Sequence, residues 1–165
     1  MRKNNHIFLF IACCYGAMTV SFTPAANANY LLQIQEHFAL NEATAGLILS
    51  LGYWGGFVAG LLSGPLADRW SLRGMILVSA LAQIMGIILT AWASQQFALI
   101  AGVTICGVGC GMAGSLLPTV VGSAFPEIRT RMLNIFYAFF SVGAVVATLV
   151  IMGLMQTQAG WRTGY

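Results

Sequence analysis

The feature that most constrains this chain is an apolar run that ends abruptly in charge, at residues 51–73, which reads LGYWGGFVAGLLSGPLADRWSLR. A stripe of glycines recurs in it at every fourth position, at Gly52, Gly56, Gly60 and Gly64. Small residues at this spacing let two helices come close together inside a membrane, so the run predicts a tight helix contact. The charges that follow, Asp68, Arg69 and Arg73, cannot stay in hydrocarbon and therefore predict a short turn at the water interface.

Composition agrees with a membrane protein. Of the 165 residues, 59% are hydrophobic and only 7% are charged, whereas a soluble domain carries about 25% charged residues. A water-soluble fold of this size cannot hide so much apolar surface. The net charge of +3 comes from a few scattered basic residues, which is not the pattern of a nucleic-acid-binding protein, so we expect no nucleic-acid partner.

Five apolar stretches are long enough to cross a hydrocarbon core of about 30 Å, which takes about 20 helical residues. We predict an all-α integral membrane protein with one transmembrane domain over residues 1–165 and spans at 7–28, 43–67, 74–93, 97–123 and 132–155. Runs of this length favour helices over strands, and backbone groups in lipid have to pair within their own segment. Asn41 is the predicted N-cap of the second span, with Glu42 favourable at the positive helix end.

The basic residues predict the topology. Six of the seven lie on one side of the predicted membrane, at Arg2, Lys3, Arg69, Arg73, Arg129 and Arg131, and Arg162 lies on the other. The positive-inside rule therefore predicts a protein of the cytoplasmic membrane with its amino terminus inside. An alternative is a signal peptide that is removed after Ala26-Asn27-Ala28, since the basic start and apolar core of residues 1–28 also fit that pattern.

The end of the glycine run resembles a family signature. Gly64, Leu66, Asp68, Arg69 and Arg73 match the loop between the second and third helices of the major facilitator superfamily of secondary transporters, whose pattern runs Gly-x-Leu-x-Asp-Arg-x-Gly-basic-basic. Ser71 replaces the second glycine, and Leu72 replaces a basic residue. The resemblance implies that Asp68 latches onto a helix of the opposite half of a transporter and biases its inward–outward equilibrium.

The resemblance also implies an architecture. The chain would be the first five helices of an amino-terminal six-helix half, with residues 156–165, including Gly160-Trp161-Arg162, as the stub of a sixth helix. One repeat cannot rock against itself, so we expect no independent transport from such a truncated transporter. It would be either a non-functional remnant or one half that needs a complementary half or a second copy. The alternative is a non-transporting interaction protein that self-associates through the Gly52–Gly64 stripe, which would otherwise face lipid. We expect no enzyme, because the spans hold no acid–base set.

The fourth span carries further glycines. Gly107 and Gly111 predict close helix packing, whereas the sequence GCGMAG at 109–114 only imitates a dinucleotide-binding loop, because no strand precedes it and no acidic residue follows at the required distance. The family often has an arginine linked to proton coupling four residues before Gly107, where this chain has Val103. Cys13, Cys14, Cys106 and Cys110 are expected to act as small apolar residues, so we predict no metal and no cofactor.

Polar residues inside the spans are candidates for a solute path. Tyr15, Thr19 and Thr23 recur on the first span, and Asn134, Tyr137 and Ser141 share a face of the fifth. Uncharged hydroxyl and amide groups suit a neutral, sugar-like solute, and they suit hydrogen bonds between helices equally well. Residues 115–145 also resemble the fucose–proton symporter branch, through Phe125-Pro126, Arg129, Leu133-Asn134, Phe139-Phe140 and Gly143, although that branch places acidic groups in its spans.

Overall fold

The computed structural model describes the backbone of residues 2–156 and the side chains of residues 7–155. It consists of five long helices, α1 Arg2–Phe38, α2 Glu42–Trp70, α3 Leu72–Ala91, α4 Gln96–Ala124 and α5 Arg129–Gln156, with a 3₁₀ turn at Pro126–Ile128. All five are long and apolar enough to cross a membrane, which confirms the predicted all-α class. The expected stub of a sixth helix lies outside the described residues from 157 onward, as does Arg162.

Helix α4 is the centre of the bundle. It packs extensively against both α2 and α3, which contact each other little, while α1 packs mainly against α5 and secondarily against α4. The α1–α5 contact is close, because a Cβ on Gly143 would lie 2.7 Å from the Cα of Met18. The start of α1 reaches the end of α4, where the rings of Phe10 and Phe125 meet edge to face with their centroids 5.9 Å apart.

Helix α1 extends well beyond its predicted end at residue 28. Tyr30 and Ile34, one turn apart in this extension, are buried at 0% and 6% exposure in a cluster with Leu99 and Ile151. Of the three residues between them Gln33 alone is polar, so the apolar character of the first span continues past residue 28. Burial of this apolar stripe therefore carries the helix on to residue 38.

The two ends of the α1–α2 turn are both capped. Ala39 has a positive φ of 49°, and the Leu40 N–H donates to the Gln35 carbonyl at 2.9 Å, which is the hydrogen bond of a Schellman ending. Asn41 then begins α2, and its Oδ1 accepts a hydrogen bond from the Thr44 N–H at 2.7 Å. The predicted N-cap is confirmed.

The α2–α3 turn is much tighter than the predicted loop at 68–73, because Ser71 alone joins the two helices. Its N–H donates to the Ala67 carbonyl at 3.2 Å, and its hydroxyl accepts from the Gly74 N–H at 3.2 Å. Ser71 therefore ends α2 and begins α3. Its φ of 129° lies in a region that favours glycine, and it occupies the position of the glycine in the family pattern.

Replacing Ser71 by glycine is expected to raise the free energy of unfolding by about 1 kcal/mol, since a residue in such a region costs about 1–3 kcal/mol and glycine forfeits only a few tenths as an N-cap. The measurement is an unfolding titration in mixed micelles followed by circular dichroism. Ser71→Ala is the control, because it keeps the Cβ and loses the hydroxyl, and it should be less stable than the parent. A glycine variant that is less stable than the parent would show that the backbone at Ser71 is not strained.

Candidate functional site

The glycine stripe of α2 lies against α4. A Cβ on Gly56 would come within 2.8 Å of the Gly107 carbonyl oxygen. Conversely, a Cβ on Gly107 would overlap the Gly52 carbonyl, and a Cβ on Gly111 would overlap the Gly56 carbonyl. The backbones of α2 and α4 therefore touch, which is the geometry that small residues permit in membranes.

This contact corrects the expectation that the stripe faces lipid or a second copy. Helix α4 of the same chain packs against three of these glycines. Its residues Val103, Gly107, Gly111 and Ser115 contact Gly52, Gly56 and Gly60. Of the stripe, Gly64 alone has no atom within 4 Å of its would-be Cβ among the described residues. A self-associating protein would need the surface that α4 already covers, so the structure does not favour that alternative.

The opposite face of α4 carries a second close contact, with α3. A Cβ on Gly109 would lie 2.7 Å from the Ser79 carbonyl oxygen, and one on Gly102 would lie 2.7 Å from the Thr90 nitrogen. From the α3 side, a Cβ on Gly86 would lie 2.6 Å from the Cα of Cys106. The GCGMAG sequence is thus a two-sided packing element, since its first glycine meets α3 and its second meets α2.

A cleft of about 290 Å³ opens where α1, α2 and α4 meet. Its polar groups are the hydroxyl of Thr23, the amide of Asn27 and the phenol of Tyr53. Its other lining residues are Pro24, Leu49, Gly52, Gly56, Phe57, Val103, Gly107, Cys110 and Gly111. The cleft is therefore mostly apolar, with a few uncharged polar groups, which is the usual make-up of a small-molecule site.

The polar residues that were predicted from the sequence to line one solute path lie in different places in the structure. Tyr15 is 71% exposed and lines a groove with Phe139 between α1 and α5. Tyr137 lines a different cleft of about 240 Å³, against α1 and α4. Thr19 and Ser141 donate their hydroxyl protons to carbonyls of their own helices, at 2.8 and 3.2 Å.

Asn134 is exposed on α5, and no one cleft holds these five side chains. Their part in a solute path stays a prediction. Sequence reasoning missed Asn27 and Tyr53, which do line the α1–α2–α4 cleft. A signal for Asn27 was present, because it lies one helical turn after Thr23.

The loop-motif charges lie at one end of the bundle. Asp68, Arg69 and Arg73 are exposed around the Ser71 turn. A further cleft of about 400 Å³ opens beside Asp68, lined by residues of α2 and α4 and by Leu72 at the start of α3. Gly64 lines this cleft, and Leu66 packs against the neighbouring cluster of Met75, Met112 and Leu116.

Comparison with known proteins identifies a family. The model of the Major Facilitator Superfamily matches residues 7–165. The chain is 27% identical over 161 residues to a glucose transporter, GlcP, of Staphylococcus epidermidis, covering 97% of this chain. It is 24% identical over 163 residues to a D-xylose transporter of Levilactobacillus brevis, covering 98% of this chain, and 26% identical over 166 residues to an arabinose-proton symporter of Bacillus subtilis, covering 99%.

The match covers nearly all of this chain but only part of each relative. It spans 36% of the length of each of these three transporters. All three are named as transporters, of glucose, of D-xylose and of arabinose with protons.

Proposed function

Because the chain belongs to the Major Facilitator Superfamily, we propose that it takes part in secondary transport of a small, neutral, sugar-like solute by alternating access. The observation that carries this proposal is the α1–α2–α4 cleft, where three helices of one half leave an uncharged, partly polar recess. In secondary transporters the solute site lies near the midplane, between two repeats that move against each other.

The matching relatives are longer, so the chain supplies one side of such a site. A complementary half would close the cleft from the other side. The apolar side chains next to it support this arrangement, since Trp54, Phe57 and Leu61 of α2 are 63%, 56% and 63% exposed. Lipid or another transmembrane segment has to cover them.

The amino terminus lies inside the cell in this proposal. The start of α1, the Ser71 turn and the α4–α5 connection share one end of the bundle, and six of the seven basic residues fall in these three segments. A carboxyl-terminal reporter that is active only outside the cytoplasm tests the orientation. Activity agrees with five retained spans, whereas an inactive reporter on a stable protein contradicts the topology.

Thr23 provides the test of solute recognition. The test uses a hybrid in which this chain replaces the matching segment of the S. epidermidis glucose transporter. In this hybrid, Thr23→Val should lower uptake of labelled glucose, xylose or arabinose about tenfold, because the loss of one hydrogen bond to the solute weakens binding by about that factor. Thr19→Val is the matched control, since the Thr19 hydroxyl bonds to its own helix. A hybrid that is well inserted but takes up no sugar would contradict the proposed function, and equal losses at Thr19 and Thr23 would contradict the assigned cleft.

In this proposal the loop motif sets the balance between the inward-facing and outward-facing states of the transporter. The motif consists of Gly64, Leu66, Asp68, Arg69 and Arg73. Its support is the resemblance of these residues to the family loop and the open cleft beside Asp68. Asp68→Asn in the same hybrid should impair uptake while leaving solute binding unchanged. Uptake equal to that of the parent hybrid would refute this role.

A further inference from the structure

Two thiols on α4 converge on one turn of α1. Cys106 and Cys110 lie one helical turn apart, so their side chains share a face of the helix. The Cys106 thiol donates to the Thr23 hydroxyl, with 3.6 Å between Sγ and Oγ1. The Cys110 thiol points at the Val20 carbonyl, with 4.0 Å between Sγ and O.

One thiol of the pair opens onto the α1–α2–α4 cleft. Cys110 is half-buried and lines the cleft together with Thr23. Cys106 is 1% exposed and lies behind it, closed off by α1 and by Gly86 of α3. A small reagent in the cleft therefore meets Cys110 first and finds the second sulfur one turn away.

The donor set selects the kind of ligand. Two sulfurs and one hydroxyl are too few for a tetrahedral zinc site, which takes four ligands. Thiol ligands select soft centres, and a neutral product suits a helix inside a membrane, where residual charge is costly. A soft atom meets both conditions if it gives up two of its ligands, binds two sulfurs in their place and forms an adduct without charge.

We propose that Cys106 and Cys110 form a dithiol site that takes a trivalent organoarsenical, which bridges one turn of α4 at the floor of the cleft. Two S–As bonds form, the As–O bonds of the reagent break, and the two thiol protons leave with the oxygen as water. Arsenic stays trivalent throughout, so no oxidant or reductant is needed.

The other two cysteines provide the comparison. Cys13 and Cys14 are adjacent on α1 and are buried at 5% and 4% exposure. Adjacent residues of a helix do not face each other, and Cys14 opens onto the separate groove between α1 and α5. They should therefore not form the bridge.

The experiment treats the purified full chain in detergent micelles with phenylarsine oxide and reads the adduct by intact mass and free-thiol count. We expect one arsenic per chain and the loss of two thiols, in an adduct that excess glutathione does not remove and a dithiol does. Cys106→Ala and Cys110→Ala should each weaken retention about hundredfold, because the second bond is intramolecular. The Cys13→Ala/Cys14→Ala double variant should retain the bridge.

Circular dichroism of each variant shows that it has kept its helices, and Cys110→Ser repeats the test with a closer match in shape. The proposal is overturned if the adduct survives in either α4 variant, if it maps to Cys13 and Cys14, or if glutathione strips it from the parent chain. None of these results depends on solute transport, so they leave the proposed function untouched.

Discussion

Substituting alanine for Gly111 is expected to lower the free energy of unfolding by about 3 kcal/mol, the upper part of the usual range for overpacking. The added Cβ would overlap the Gly56 carbonyl. That atom belongs to the backbone, so no side chain can rotate away and α2 and α4 have to separate. Separation also loosens the neighbouring contacts at Gly52 and Gly60.

The control lies on the same helix. Gly114 has no atom within 4 Å of its would-be Cβ among the described residues. Gly114→Ala should therefore be neutral or gain up to about 1 kcal/mol from helix propensity. Both variants are unfolded by sodium dodecyl sulfate from mixed micelles, with helicity as the readout. Equal stabilities of the two variants would refute the α2–α4 backbone contact.

The second large effect is expected at Tyr30, whose replacement by alanine should cost about 3 kcal/mol, as for other large-to-small core substitutions. Tyr30 is 0% exposed and joins Ala26 and Ile34 of α1 to residues of α2, α4 and α5 in one cluster. Removing the ring leaves a cavity where four helices meet. The segment after residue 28 would lose its main anchor.

Leu32 is the matched control for Tyr30. It lies two residues away in the same extension of α1 but is 71% exposed, so Leu32→Ala should change the unfolding free energy by less than about 0.5 kcal/mol. Limited proteolysis supplies a second readout, because Tyr30→Ala should make the end of α1 more readily cleaved. A loss at Leu32 as large as that at Tyr30 would show that the extension is not packed as described.

Sequence reasoning predicted the helices better than their partners. Apolar runs of membrane length predicted five helices, and the Asn41 side chain predicted where α2 begins. The glycine stripe showed which face of α2 is small, but periodicity does not say which helix meets that face. The expectation that lipid or a second copy covers this face was therefore wrong, because α4 packs against the stripe.

The residues of the candidate solute path do not all meet in one cleft, and the reason is geometrical. Residues four apart advance by about 40° around a helix beyond a full turn, since the turn takes 3.6 residues. Tyr15 therefore points about 80° away from Thr23, and the two side chains open onto different grooves. Only the third member of the predicted series reaches the cleft, where Asn27 continues it by one more turn.

The central place of α4 has a consequence for biosynthesis. Helices α2 and α3 are neighbours in sequence, joined by Ser71 alone, yet they contact each other little and both pack on α4. The α2–α3 hairpin is synthesised before α4 and therefore has no stable interface of its own at that stage. The faces of α2 and α3 that pack against α4 stay exposed to lipid until residues 96–124 have inserted, and nascent chains that end before that point should be the preferred substrates of membrane proteases.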